Sequence, residues 1–342
     1  MRKFEGFTKG INLGGWLSQN ALTQEHLDTF ITKDDIRRIA SMGVDHVRLP
    51  IDFELIEDEK GNPLESGYSY IQKAIDWCLE TNLNVVLDLH KTAGYVFDDS
   101  AYSSDFFNSH KLQDRFVNLW STLASRFGKY QEHIAFELLN EIVDAGCASQ
   151  WNEIAKKAVQ AIRSIAPEIW IIIGGTRSNS VVTVKDLGRP YDHKIVYTFH
   201  CYEPLIFTHQ AADWIENMPA DYRIDYPESV KTYLHETYRL IDPAFAYPIE
   251  HLTDMDCGKE FFRKFFAEAL EAANIYDVPL YCGEYGVIDQ ASPETTLRWF
   301  DDIHAVFEEY GISRAVWSYK EMNFGIIGNH YQPIYDRLVA CL

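Results

Sequence analysis

Eight short apolar runs, each separated from the next by a longer amphipathic stretch, constrain this chain more than any other feature. They span residues 10–14, 44–51, 84–90, 134–141, 170–174, 195–202, 278–285 and 312–319. Several are almost continuously apolar, the pattern of strands buried on both faces. Strands alternating with helical patterns imply parallel βαβ units. Eight such units favour a closed barrel over an open doubly wound sheet. No G-x-G-x-x-G follows the first run, which weakens the dinucleotide-binding alternative. The expectation is an α/β fold, a (β/α)₈ TIM barrel. At 342 residues the chain is long enough for two average domains. A barrel uses about 250 residues and tolerates insertions, so a single catalytic domain over 1–342 is expected.

The stretches between the runs read as helices. Thr32 caps a stripe of Ile36, Ile39 and Ala40 that ends at Gly43. Trp151, Ile154, Ala155, Ala158, Val159, Ile162 and Ile165 recur at helical spacing before Pro167. Ser292 followed by Pro293 reads as a cap with proline at the first helical position. One connection is far too long. Residues 203–257 follow the sixth run and hold five prolines and many aromatic rings, including Trp214, Tyr222, Tyr226, Tyr233 and Tyr247. Such a segment is usually functional or a small subdomain. It leaves from the face of a barrel where active sites lie, so it is expected to be a subdomain or lid over the cleft.

Composition narrows the partners. A net charge of −20 repels phosphate backbones and anionic lipid surfaces, so nucleic acid and membrane partners are not expected. Eight Trp, 20 Tyr and 20 Phe offer flat apolar faces with polar edges, which suit sugar rings. The six cysteines include no C-x-x-C pair and read as free thiols. The first residues lack the apolar stretch of a signal peptide. The expected location is cytoplasmic as the sequence stands, or secreted if a signal has been removed. A monomer is expected, with no cofactor and no metal: His90, His110 and His200 lack the spacing of a metal motif.

In a barrel of this kind, chemistry sits at the carboxyl ends of the strands. Here those ends carry Arg48, His90, Asn140 with Glu141, His200 with Tyr202, Glu284, and Trp317. A single strand-end Glu is commonly a surface carboxylate and a single His a structural one. So many strand ends carrying such groups together point instead to a catalytic carboxylate pair.

The motifs Val47-Arg48-Leu49-Pro50, Asn140-Glu141, His200-Cys201-Tyr202, Gly283-Glu284-Tyr285-Gly286 and Trp317-Ser318 resemble those of the family 5 glycoside hydrolases. These are cellulase-like barrel enzymes of a clan with catalytic glutamates on strands four and seven. The resemblance runs from Gly10 to Trp317, and endoglucanases of clostridial type in the family can also carry an insertion after the sixth strand. One departure is Ile142, where many members have proline after the acid/base; it puts the shape of the following loop in question.

The resemblance implies a retaining β-glycosidase with Glu284 as nucleophile and Glu141 as acid/base. Arg48 is then a fixed cation for Glu284, and Tyr202 a hydrogen-bond donor to it. Asn140 faces the sugar 2-hydroxyl, His200 orients Glu141, His90 binds a sugar hydroxyl, and Trp317 is the sugar platform, with a cis peptide expected after it. The preferred activity is endo-β-1,4-glucan hydrolysis. Mannan, xylan, mixed-linkage and β-1,3-glucan stay open, as does a non-catalytic glycan-binding barrel or a Schiff-base enzyme using Lys320. Glu137 is expected to form a buried ion pair. Trp16, Tyr95, Phe97 and His110 are weaker candidates for outlying sugars, and Lys320, Glu321 and Asn323 for the cleft wall.

Overall fold

The computed structural model describes residues 1–97 and 105–342. Eight parallel strands close on themselves in sequence order: β1 (Lys9–Asn12), β2 (His46–Asp52), β3 (Asn84–Lys91), β4 (Ile134–Glu137), β5 (Trp170–Gly174), β6 (Ile195–Cys201), β7 (Leu280–Tyr285) and β8 (Ser313–Val316). β8 pairs back onto β1 through Gly10 and Ala315, which closes the barrel. The expected fold class is therefore the observed one.

Helices fill the gaps where the sequence placed them. Thr32 caps Lys33–Ser41 with a reciprocal hydrogen-bond pair to Asp35. Ala148–Arg163 buries Trp151, Ile154, Ala155, Ala158, Val159 and Ile162 against the barrel wall, whereas Ile165, expected on the same stripe, lies past the helix end and is exposed. Ser292 caps Pro293–Tyr310. Inside the barrel, Phe4 and Phe7 stack 4.4 Å apart and pack with Val86, Ala135, Ile172, Val196, Tyr281 and Ala315 as a plug at the amino-terminal end. With that end filled, side chains that point inward near the carboxyl ends face a single open mouth.

Two strands stop three or more residues short of their apolar runs. β4 ends at Glu137, not Glu141, although Leu138 still donates to the Ile172 carbonyl and Asn140 to that of Leu89. The chain then turns at Glu141, whose φ is +22°. β8 ends at Val316, and the peptide between Trp317 and Ser318 is cis. In both cases the residues beyond the ladder line the mouth.

Residues 203–257 hold two helices, Leu205–Thr208 and Val230–Leu240, joined by turns and short 3₁₀ segments. Phe207, Tyr226, Val230, Tyr233, Ile249 and Cys257 are buried in the same apolar cluster as the barrel. Tyr226 donates to Asp302, and the Trp299 indole donates to the Glu203 carbonyl. All six cysteines are unpaired. Among the described residues, no helix is long and apolar enough to cross a membrane.

Candidate active site

The mouth of the barrel is organised by one buried guanidinium. Arg48 on β2 is fully buried, so each of its N–H groups needs an acceptor. Nε and Nη2 donate to the two carboxylate oxygens of Glu137 at 2.7 and 3.0 Å. Nη1 donates to Asn12 Oδ1 at 3.0 Å and to Glu284 Oε1 at 2.7 Å. Nη2 also donates to Asn140 Oδ1 at 2.9 Å and lies 3.0 Å from Asp88 Oδ2. Glu137 thus forms the buried ion pair expected of it.

One cation faces three buried carboxyls, Asp88, Glu137 and Glu284. Three anions around one cation would leave two uncompensated buried charges, an arrangement of several kcal/mol cost. Asp88 relieves it: burial pushes its carboxyl up to about 7, against the opposing pull of Arg48. Its Oδ2 lies 2.5 Å from Nδ1 of His90. Burial pulls His90 down to about 4, so its ring is neutral at neutral pH.

The raised pKa of Asp88 has a consequence for stability. The folded state holds this proton more tightly than the unfolded chain does. The stabilisation is complete below the ordinary carboxylate value of 3.8 and drains away as pH rises to about 7. The melting temperature of the wild type should therefore fall as pH rises from 5 to 8. In Asp88→Asn, which cannot ionise there, the same measurement should give a flatter curve. Parallel curves for the two proteins would exclude a protonated Asp88.

The two glutamates meet across the mouth. Glu141 follows β4, Glu284 lies on β7, and carboxylate oxygens of the two, with a ring nitrogen of His200, lie within 4.8 Å of one another. Their surroundings differ. Glu284 is anchored by Arg48 and accepts from the Tyr202 hydroxyl at 3.0 Å on its other oxygen. Glu141 Oε1 lies 2.7 Å from Nδ1 of His200 on β6. The same Nδ1 is 3.7 Å from Glu284 Oε2. Burial pulls His200 down to about 4. These three residues also form a donor set a metal ion could use. Both Glu284 oxygens, however, are already engaged by Arg48 and Tyr202.

Trp317 and His90 stand with parallel rings, their centroids 5.9 Å apart. Two glycines make the position of Trp317 possible. A Cβ on Gly14 would come within 2.8 Å of the indole, and one on Gly286 within 2.4 Å of the Trp317 carbonyl. Tyr202 packs edge-on against His209 and Phe324, which continue the wall on the side of the insertion.

All eight residues expected at the site are thus gathered at one end of the barrel. The weaker candidates divide. Trp16 is fully buried and donates to the Leu27 carbonyl, so it is a core residue and not a sugar contact. Tyr95 is also buried; its hydroxyl donates to the Glu141 carbonyl at 2.6 Å and accepts from the Val143 amide at 2.9 Å. It clamps the turn that carries Glu141, the turn made uncertain by Ile142. Phe97 packs edge-on against His90, and His110 is exposed at the start of helix His110–Phe127. Lys320 donates to the Phe30 carbonyl at 2.8 Å, which commits the amine that a Schiff-base reading needs. Sequence reasoning passed over Asp88 and Asn12. Asp88 lies two residues before His90 in one strand, so the alternation of side chains puts both on the same face.

The sequence profile described as cellulase (glycosyl hydrolase family 5) matches residues 8–323. The chain belongs to glycosyl hydrolase family 5. This family 5 hydrolase is 42% identical to endoglucanase C of Acetivibrio thermocellus over 98% of both chains. It is 41% identical to cellodextrinase A of Ruminococcus flavefaciens, over 92% of this chain and 86% of that one. Its fold superposes on endoglucanase Cel5A of Thermotoga maritima with a TM-score of 0.74. The match covers 98% of this chain and 96% of that one, at 23% identity.

Proposed function

We propose that this family 5 hydrolase is a retaining endo-β-1,4-glucanase in which Glu284 is the nucleophile and Glu141 the acid/base. The observation that carries the reading is the spacing and unequal anchoring of the two carboxyls. Retaining enzymes hold the pair about 5–5.5 Å apart, whereas inverting enzymes leave about 6.5–9.5 Å for a water molecule. One carboxylate oxygen of each glutamate lies within 4.8 Å of the other, and both reach Nδ1 of His200, at 2.7 and 3.7 Å, a close approach that supports the first group.

The chemistry follows from the anchoring. Glu284, fixed by Arg48 and Tyr202, attacks the anomeric carbon with one carboxylate oxygen. The C–O bond to the leaving sugar breaks, and Glu141 gives its proton to the departing oxygen. Glu141, now a carboxylate, removes a proton from water. The water oxygen attacks the same carbon and expels Glu284, which restores both groups. Two displacements return the β configuration. Asn140 uses Oδ1 to accept from Arg48, and its buried Nδ2 has no partner among the described residues. That leaves a donor for the sugar 2-hydroxyl, a contact that strengthens in the transition state. Trp317 offers the apolar face for the same sugar.

Two relatives matched over most of their length frame the substrate: one bears the name of an endoglucanase, the other of a cellodextrinase. The aromatic wall on the side of residues 203–257 favours short β-1,4-linked chains as good substrates beside the polymer. Barley glucan, a soluble cellulose derivative, cello-oligosaccharides, mannan, xylan and a β-1,3-glucan form the test panel. Viscosity of the cellulose derivative should fall faster than reducing ends appear, and the first product seen by NMR should be the β anomer. Faster cleavage of mannan or β-1,3-glucan would overturn the substrate assignment, and an initial α anomer would overturn retention.

A further inference from the structure

Between β5 and β6 the backbone takes an unusual course. Arg177, Ser178 and Asn179 have φ of +53°, +54° and +54°, three consecutive non-glycine residues in the left-handed region. Each such residue costs of order 1–2 kcal/mol, and such conformations persist where surrounding contacts over-determine them. The contacts here lead to the acid/base. The Ser178 amide donates to the Ile142 carbonyl at 3.0 Å, one residue past Glu141. Asn179, fully buried, reaches His200, its Nδ2 lying 3.4 Å from Nε2. Its amide fills space that exists because residue 174 is glycine; a Cβ there would stand 2.2 Å from Asn179 Oδ1. Arg177 packs over the Tyr247 ring, 4.2 Å from its centroid, which ties the run to the inserted segment.

We infer that Asn179 is a positioning residue that fixes the tautomer of His200 and thereby the oxygen of Glu141 that carries the catalytic proton. The inference deepens the reading above and rests on it. Asn179 Nδ2 donates to Nε2, so the single ring proton of the neutral imidazole sits on Nδ1 and is donated to Glu141 Oε1. In the acid form, the proton of Glu141 is then confined to Oε2. In the base form, the same Nδ1–H stabilises the carboxylate. One fixed tautomer serves both halves of the double displacement without a proton having to move within the ring. In the opposite tautomer the Nδ1 lone pair faces Oε1, captures the acid proton on the wrong oxygen and repels the carboxylate.

Asn179→Gly removes the amide while suiting the left-handed backbone, so it separates the side chain's role from the fold's. The first measurement is nitrogen-15 NMR of histidine-labelled full-length protein near pH 7, with His200→Gln supplying the assignment. The wild type should show a protonated Nδ1 and an unprotonated Nε2, and Asn179→Gly should lose that preference. The second is kinetics on aryl β-cellobiosides. On a poor leaving group, which needs the acid, kcat/KM of the variant should fall about tenfold. On the dinitrophenyl compound kcat/KM should change less than about twofold, while kcat falls because water attack still needs the base. An Nε2–H tautomer in the wild type, an unchanged tautomer in the variant, or equal losses on both leaving groups would overturn the inference. The NMR reads out even if the wild type hydrolyses no β-glucan, so failure of the parent reading is told apart from failure of this one.

Discussion

Glu284→Ala is expected to lower hydrolysis of soluble β-glucan by at least about 10⁴-fold, because in the proposed mechanism it removes the atom that forms the covalent intermediate rather than a group that assists it. Only a carboxyl held at attacking distance can play that part, and Glu284 is held at two points, by Arg48 at 2.7 Å and Tyr202 at 3.0 Å. The fold should survive, because Arg48 keeps Glu137 and Asn140 as acceptors. Azide added to the variant should enter the space left by the carboxylate and attack from the same side. With an activated cellobioside it should yield a glycosyl azide of α configuration, a single displacement where the wild type performs two. The product is identified by NMR. Residual activity above about 10%, comparable to loss of a minor acid–base contribution, would remove Glu284 from its assigned role.

The second large effect concerns Arg48. Arg48→Met fills a similar volume but leaves Glu137 and Glu284 buried without their cation. Removing one partner of a buried ion pair costs about 3–5 kcal/mol, and here one guanidinium serves several partners at once. The melting temperature at pH 7 should fall by roughly 5–15 °C on the scaling for domains of this order of size. Activity should fall by more than about 10³-fold, since Glu284 and Asn140 lose the group that aims them. The stability loss should shrink between pH 7 and 4, because carboxyls without a cation can take up protons and shed their charge. Arg48→Lys should recover only part of either quantity: an ammonium has three donors and no planar fork to match the bidentate contact with Glu137. Melting curves across pH for the three proteins, with kcat/KM on barley glucan, test this directly. A melting temperature within 2 °C of the wild type at pH 7 would mean that the network does not depend on its cation.

Asp88→Asn follows from the same charge balance and probes it from the other side. With Arg48 in place, a proton on Asp88, whose carboxyl burial pushes up to about 7, removes one of the two excess negative charges, and burial also raises Glu137. The two variants therefore should move the pH dependence of stability in opposite senses.

How legible all this was in the sequence depends on range. Strand and helix positions rest on periodicities a few residues long, and those are written in the chain itself: near-continuous apolar runs, helical stripes and caps such as Thr32 and Ser292. Eight such units in alternation left the closed barrel as the expected solution, and a barrel puts every strand end at one mouth. Glu141 and Glu284, 143 positions apart, were therefore predictable neighbours. Ladder ends were misread at Glu137 and Val316 because apolar character continues past the last hydrogen-bonded pair.

What the sequence determined, then, was the architecture and which side chains gather at the mouth, because strand alternation and barrel closure convert position along a run into direction in space. What only tertiary structure decided was which groups touch. That Tyr95 clamps the Glu141 turn rather than binding sugar, that Trp16 is core, that Asp88 shares Arg48 with two glutamates, and that Asn179 reaches the far nitrogen of His200 all depend on contacts between distant segments. Such contacts are set to within an ångström by packing and by the requirement that buried polar atoms find partners, and no local pattern in the chain encodes that distance.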